Sequence, residues 1–220
     1  MTIPIWRMTD GPASQAHDLA AVLTTVLADA VNHYGEACLA VSGGRSPRRL
    51  FDVLSRANLP WSRIQIVLVD ERCAPASPED RNETLVRRHL LAGPAAAACF
   101  TPPLDGGTPI PVPLRIDALV LGIGTDGHTA SLFPEAPELP DALNPERPPA
   151  YVFVTPPTAP WRRITFNLAA ILAAKRLFIT LSGAEKRAVL EQAMHAGLDG
   201  PPIGTVMARA TSAPEIHWCP

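Results

Sequence analysis

One stretch of the chain combines residue types that can transfer a proton beside a bound ligand. It begins with the apolar run Ala118–Leu121, which is typical of a buried strand. Three glycines follow, at positions 122, 124 and 127. They permit positive φ angles and let backbone N–H groups approach a ligand closely. Asp126 and His128 lie among these glycines, and a carboxylate two residues from an imidazole can orient it for general acid–base catalysis.

A histidine by itself is weak evidence, because most histidines have no catalytic role. His128 differs because its loop also contains the glycines, Asp126 and Ser131. The sequence therefore favours a functional interpretation of this loop.

A second glycine turn follows the apolar run Cys38–Val41 and reads Ser42-Gly-Gly-Arg-Ser-Pro47. Ser46 suits the N-cap and Pro47 the first position of a helix predicted to continue to about Arg56. A strand, a glycine turn and a helix N-terminus together can bind an anion. An ordinary strand–helix turn would use the same residues, and the Gly-Lys-Ser/Thr ending of a P-loop is not present in this turn.

Charged residues also follow the predicted strand 64–69, where the chain reads Asp70-Glu71-Arg72. Open α/β sheets bind ligands at the carboxyl ends of their strands. Arg72 can bind a phosphate or carboxylate with two hydrogen bonds. Asp70 can orient a base or bond a sugar hydroxyl. The alternative is a solvated turn.

Two further cations are candidates for an anion site. Lys186 falls in the first turn of a predicted helix, where a cation opposes the helix dipole unless an anion binds nearby. An exposed lysine at a helix start is the alternative. Arg163 lies between the predicted strand 151–154 and a predicted helix that ends near Ala174. If these turns converge, the result is a basic, glycine-lined pocket in which each charge-assisted hydrogen bond to a phosphate contributes roughly 1.5–3 kcal/mol.

The glycine loop also matches the G-x-G-x-x-G pattern of dinucleotide-binding proteins. That pattern requires a sizeable helix next, whereas Pro134 and Pro137 would end a helix within about two turns. The sequence therefore favours a phosphorylated small molecule over a dinucleotide.

The elements that position these turns alternate between short apolar runs and helical patterns. The predicted strands are 3–8, 38–41, 64–69, 118–121, 151–154, 177–181 and 214–218, and the predicted helices are about 14–33, 47–56, 82–91, one ending near 174, and 182–195. This rhythm predicts an α/β fold with a doubly wound, mainly parallel sheet and helices on both faces. Residues 92–114 are rich in alanine, proline and glycine, and we interpret them as a long loop within one domain covering residues 1–220.

Composition excludes several classes of function. The formal net charge of −2 gives no attraction to nucleic acid or to an anionic membrane. No apolar run reaches the roughly 20 residues of a membrane span, and the N-terminus does not resemble a signal peptide. The four cysteines lack the spacing of a metal site. A cytoplasmic protein is expected.

Four motifs resemble those of the 6-phosphogluconolactonase family. They are Ser42-Gly-Gly-Arg-Ser-Pro47, Asp70-Glu-Arg72 with Pro75 and Asn82, Gly122-Ile-Gly-Thr-Asp-Gly-His-Thr-Ala-Ser-Leu-Phe-Pro134, and Arg163-Ile-Thr165 followed by Gly183-Ala-Glu-Lys186. They occur in the family's order, and the third is the most specific. The sequence departs from the family in Cys73-Ala74-Pro75, where a valine usually precedes the proline. The chain also ends soon after Trp218, which predicts a shortened last strand.

The resemblance implies a hydrolase of carbohydrate metabolism that opens 6-phospho-D-glucono-1,5-lactone to 6-phosphogluconate in the oxidative pentose phosphate pathway. It implies that His128 is the general base, that Asp126 and Asp70 orient the base or the substrate, and that Arg72 binds the substrate or stabilises the oxyanion. The implied phosphate-binding residues are Ser42, Gly43, Gly44, Ser46, Arg163 and Lys186. No metal or organic cofactor is implied. The expected partner is the phosphorylated sugar lactone, and the expected state is a monomer or weak homo-oligomer.

Two other functions remain open from the sequence. Glucosamine-6-phosphate deaminases, which belong to the same larger group, have the same Asp-Gly-His core but a catalytic glutamate five residues after the histidine. Phe133 occupies that position here, which argues for the lactonase. A non-catalytic sugar-phosphate-binding regulator would keep the phosphate-binding groups but would not need both Asp126 and His128.

Overall fold

A computed structural model describes residues 2–44, 46–74, 77–157 and 159–220. Arg45 and Pro75, which belong to two of the predicted motifs, lie outside the described residues. The strands are β1 (Ile5–Met8), β2 (Ala37–Val41), β3 (Ile64–Leu68), β4 (Asp70–Arg72), β5 (Cys99–Thr101), β6 (Leu104–Asp105), β7 (Thr108–Pro109), β8 (Ala118–Leu121), β9 (Tyr151–Val154), β10 (Arg163–Phe166), β11 (Leu177–Ser182) and β12 (Glu215–Cys219). The helices are α1 (Pro12–Tyr34), α2 (Arg48–Leu54), α3 (Asn82–Leu85), α4 (Leu139–Ala142), α5 (Leu168–Leu172), α6 (Ala184–Ala196) and α7 (Pro202–Arg209).

The main sheet has seven strands in the order β1-β12-β11-β8-β2-β3-β5, and all neighbouring strands in it are parallel. Successive residues of its central strands point into two separate apolar clusters. Leu39 of β2 packs with α1 and α2 on one face, and Ala40 packs with α5, α6 and α7 on the other. Burial on both faces explains the continuous apolar runs of the strands. The predicted doubly wound α/β fold is confirmed.

Helix α1 is the longest helix, and its end follows the sequence closely. Gly35 adopts a φ of 81°, and its N–H donates to the carbonyl of Val31 at 2.8 Å. This left-handed geometry is the usual C-terminal stop of a helix. Among the helices in the described ranges, none is both long and apolar enough to cross a membrane.

The second sheet is the main difference from the predicted fold. Residues 70–72, predicted as a turn, form β4, which pairs antiparallel with β10, and β10 pairs antiparallel with β9. Val69 is the branch point, because its N–H bonds Val41 of the main sheet and its carbonyl accepts from Phe166 at the end of β10. A strand that leaves one sheet for another cannot be distinguished from a strand and a turn by its apolar pattern.

Several predicted boundaries also change. The segment predicted as a long loop contains β5, at the edge of the main sheet, and the hairpin β6–β7. Helix α2 begins at Arg48, and Ser46 does not cap it, since the residue preceding the helix is Pro47. The predicted helix 82–91 is α3 followed by a π-helical turn, Val86–Leu90. The last strand, expected to be shortened, forms five residues of β12 between β1 and β11.

Candidate active site

The predicted motifs line a cavity at the main sheet. It lies at the point where the direction in which successive strands are added to the sheet reverses. From β2 the chain continues outward to β3 and β5, whereas from β8 it continues in the opposite direction to β11 and β12. β2 and β8 are neighbours, so their carboxyl ends flank a crevice. Ligands of open α/β sheets bind at this kind of reversal.

A cavity of about 310 Å³ opens at this crevice. The described residues that line it are Ser42, Gly43, Gly44, Ser46, Pro47, Asp70, Arg72, Asn82, Val120, Gly122, Ile123, His128, Ala130, Ser131, Phe133, Ala159, Arg163 and Thr180. The three turns singled out in the sequence therefore meet at one cavity. Asp126 is not a lining residue itself but is hydrogen-bonded to His128, which is. Lys186 is half-buried in the first turn of α6 and is not among the lining residues.

His128 and Asp126 form the pair that the sequence spacing suggested. The Nδ1 atom of His128 lies 2.5 Å from Oδ1 of Asp126, and the backbone N–H of His128 donates to the same oxygen at 3.1 Å. The carboxylate holds the Nδ1 edge of the ring, so Nε2 is the nitrogen left for a ligand. The arrangement orients an imidazole for proton transfer and can stabilise it when it becomes charged.

Two of the three glycines of this loop, Gly124 and Gly127, are required by close contacts. A Cβ at Gly124 would lie 2.2 Å from Nδ1 of His128 and 2.5 Å from Oδ1 of Asp126. Gly127 has a φ of +78°, and a Cβ there would lie 2.6 Å from the side chain of Pro201. Gly124 therefore makes room for the His–Asp pair and Gly127 for Pro201. Glycines in a dinucleotide site serve a different purpose, since they let the backbone approach a pyrophosphate.

Asp70 is buried at the base of the cavity. Ser131 donates its hydroxyl to Oδ2 of Asp70 at 2.6 Å, and the N–H of Ser131 donates to Oγ1 of Thr165 at 3.2 Å. Burial raises the pKa of Asp70, while the bond from Ser131 and the charge of Arg163 oppose the rise. Ser131 was noted in the sequence only as part of the loop, because nothing in its spacing pointed to a partner in β4.

Glu71 has a structural role that the sequence did not predict. Its carboxylate accepts the N–H groups of Arg72 at 2.7 Å, Asn82 at 2.9 Å and Glu83 at 2.8 Å. Burial raises the pKa of Glu71, and these three bonds oppose the rise. Glu71 thus satisfies free N–H groups at the start of α3, as a capping carboxylate does.

Asn82 connects this start of α3 to the cavity. Its Nδ2 donates to the carbonyl of Asp70 at 2.9 Å, and its side chain fills the space beside Gly43. A Cβ on Gly43 would lie 2.1 Å from that side chain, so a glycine is needed there. Gly44, with a φ of +89°, and the exposed Ser46 complete this wall of the cavity.

Two arginines supply the positive charge. Arg72 and Arg163 are direct partners in the β4–β10 register, and both side chains line the cavity. Arg72 donates through Nη1 to the carbonyl of Asp80. Arg163 is only 7% exposed, and its Nε has no hydrogen-bond partner among the described residues. Burial and the neighbouring Arg72 lower the pKa of Arg163, and Asp70 and Glu71 oppose that effect.

Among the residues that the structure describes, the side chains do not form a metal site. Within the described ranges, no cluster of three or more histidine, cysteine, aspartate or glutamate side chains is placed to hold a metal ion. The arrangement instead combines an imidazole–carboxylate pair, a buried carboxyl group and two guanidinium groups, which suits proton transfer beside a bound anion.

Comparison with known proteins decides the family. The family model of glucosamine-6-phosphate isomerases/6-phosphogluconolactonase matches residues 10–218. The chain belongs to this family. Family members with high similarity include the 6-phosphogluconolactonase of Pseudomonas aeruginosa, which is 40% identical over 220 residues, covering 94% of this chain and 92% of the relative. The 6-phosphogluconolactonase of Neisseria meningitidis serogroup A is 38% identical over 216 residues, covering 92% and 94%.

A solved structure of a family member agrees with the fold. The crystal structure of a 6-phosphogluconolactonase from Shewanella baltica superimposes with a TM-score of 0.88 at 34% identity and covers 100% of both chains. The family's fold therefore extends over the whole chain, including the second sheet that carries Arg72 and Arg163.

Proposed function

We propose that the protein is a hydrolase that opens 6-phospho-D-glucono-1,5-lactone to 6-phosphogluconate in the oxidative pentose phosphate pathway. The observation that carries the proposal is the 2.5 Å pair of His128 and Asp126 at a cavity that also contains Arg72 and Arg163. The names of the relatives at 38–40% identity support the same activity.

In the proposed mechanism, Nε2 of His128 removes a proton from a water molecule as that water attacks the lactone carbonyl. Asp126 stabilises the imidazolium that forms, through Nδ1. The carbonyl oxygen gains negative charge in the tetrahedral intermediate, which Arg72 stabilises. As the ester C–O bond breaks, the proton passes from His128 to the ring oxygen, which leaves as a hydroxyl group.

The remaining lining residues bind the substrate in this proposal. Arg163 and the turn of Ser42, Gly43, Gly44 and Ser46 bind the phosphate, and Asp70 with Ser131 bonds a sugar hydroxyl or orients the base. Lys186 remains a proposed phosphate ligand, although it is not among the described residues that line the cavity. Its side chain would reach the phosphate from the first turn of α6. We expect a monomer or weak homo-oligomer that acts in the cytoplasm without a metal or organic cofactor.

The test is hydrolysis of freshly prepared lactone by the purified protein, with 6-phosphogluconate measured through a coupled dehydrogenase. We expect hydrolysis well above the spontaneous rate. A rate of hydrolysis equal to the spontaneous rate would contradict the proposed function.

The deaminase alternative is tested in parallel, by measuring ammonia released from glucosamine 6-phosphate. The apolar Phe133 lines the cavity where a deaminase requires a proton-transferring side chain, so we expect no release. Binding of the lactone without turnover would instead favour the non-catalytic regulator.

A further inference from the structure

We propose that Phe133 is a positioning residue that fixes the imidazole of His128 against the cavity wall. This inference rests on the proposed function, in which His128 is the base. The two ring centroids are 4.5 Å apart, and the ring planes are tilted by 36°. Phe133 is only 8% exposed and is itself held in an apolar cluster with Ala136 and Val154. A rigid ring therefore supports a base that lies on a glycine-rich loop.

The contact completes an enclosure of the imidazole on three sides. Asp126 holds the Nδ1 edge at 2.5 Å, and the backbone at Gly124 lies so close that a Cβ there would be 2.3 Å from Cε1 of the ring. Phe133 supplies the third side. The ring nitrogen that none of these three contacts holds is Nε2, the atom that would face a substrate.

Asp126 alone would hold the ring weakly. Its side chain is 49% exposed, and hydrogen bonds between exposed groups are screened by water. Such a bond also fixes only the position of Nδ1, so coupled changes of the two side-chain torsions can still tilt the ring. A tilted aromatic pair restricts that motion, because its preferred geometry depends on the angle between the rings.

Phe133 also contacts the buried cation of the site. The guanidinium carbon of Arg163 lies 5.9 Å from the ring centroid, within the distance at which an aromatic quadrupole attracts a cation. In the proposed reaction His128 becomes a second cation beside the same ring. An aromatic side chain can stabilise both charges, whereas a leucine of similar size would only fill the space.

The experiment replaces the aromatic ring by an aliphatic side chain. For Phe133→Leu we expect kcat to fall by about threefold to tenfold, which corresponds to the loss of an aromatic contact, while KM changes by less than about twofold. Phe133→Tyr keeps the ring and should restore most of kcat. If Phe133 only filled space, kcat would not depend on whether the replacement side chain is aromatic.

Phe153→Leu is the matched control. Phe153 lies in β9 and is partly buried against the large apolar core cluster. The guanidinium carbon of Arg162 lies 4.4 Å from its ring centroid. The Phe153→Leu variant loses an equivalent ring and an equivalent cation contact at a position away from His128. Its kcat should therefore stay at the wild-type value. If Phe133→Leu does not fold, Phe133→Met provides a flexible aliphatic replacement of similar volume.

A second readout does not depend on activity. Ring currents of Phe133 should shift the imidazole proton signals of His128 upfield in NMR spectra of the wild type and of Phe133→Tyr, but not of Phe133→Leu. An inactive wild type that keeps this shift would overturn the proposed function and leave the contact intact. An active wild type whose Phe133→Leu variant keeps both kcat and the His128 signals would overturn the positioning role.

Discussion

Ser131 donates a 2.6 Å hydrogen bond to the carboxylate of Asp70, which joins the loop after β8 to the first residue of β4. The bond crosses from the main sheet to the second sheet at the base of the cavity. Asp70 is buried and its pKa is raised, so this carboxyl group costs folding free energy when it is ionised. A polar group kept at such a cost is usually functional.

Asp70→Asn should remove part of the pH dependence of stability. Because the folded-state pKa is raised, the folded protein binds the proton more tightly than the unfolded chain, and stability is lost as pH rises from about 4 through the folded-state pKa. We expect the wild-type unfolding free energy to decline over that window more steeply than that of the variant. Urea unfolding at a series of pH values measures both curves.

Glu71 keeps its own contribution of the same sign in this variant, so the slope should decrease but not vanish. Asp105→Asn, at an exposed position of the β6–β7 hairpin, is the control and should follow the wild type. Parallel curves for Asp70→Asn and the wild type would show that the buried carboxyl carries no such cost.

His128→Asn should lower kcat/KM by roughly 10²–10⁴-fold, because it removes the proposed base while retaining a polar side chain. The coupled lactonase assay measures the loss. The chain offers a matched control in His89, whose Nδ1 lies 2.8 Å from Oδ1 of Asp52 outside the cavity lining. His89→Asn should keep full activity, and equal losses in the two variants would point to a general effect on folding.

Gly124→Ala should reduce kcat by about 10-fold or more with little loss of thermal stability, because the added methyl group must displace the imidazole that it would meet at 2.2 Å. Steady-state kinetics and thermal unfolding measure the two effects. Gly122→Ala adds a methyl group two residues earlier with no atom within 4 Å, so its loss should be much smaller. Equal losses would mean that the backbone freedom of the loop matters, and not the space beside His128.

Lys186→Ala should raise KM for the lactone more than it lowers kcat, if Lys186 binds the phosphate as proposed. The side chain lies in the first turn of α6 and is not among the described residues that line the cavity. Lys175→Ala, whose Nζ bonds the hydroxyl of Tyr34 at an exposed position, is the control. An unchanged KM would remove Lys186 from the phosphate site.

The sequence predicted six of the seven strands of the main sheet and the positions of the glycine turns, because both depend on local patterns. Buried parallel strands require continuous apolar runs, and the loop after β8 requires glycines beside its aspartate and histidine. The deciding information lay within a few consecutive residues in each case.

The parts that were missed depend on contacts between distant segments. The antiparallel pairing of β4 with β10 joins residues that are about ninety positions apart, and nothing in Asp70-Glu71-Arg72 alone distinguishes a strand from a turn. Ser131 gains its role from Asp70, 61 positions away in the chain. Phe133 lies in the same loop as His128, but it also contacts Arg163 of β10. Their residue types are ordinary at a loop position, so only the folded arrangement reveals these contacts.

The division of the site between two sheets has a consequence for how such a protein can diverge. Under the proposed function, the proton-transfer pair belongs to the main sheet, whereas Arg72 and Arg163 belong to the second sheet. Substitutions of Arg163 in β10 can therefore alter how the anionic substrate is bound while the loop that carries His128 stays intact. The proposed base and the two arginines therefore lie on different sheets, which are joined through Val69 and meet again at the cavity.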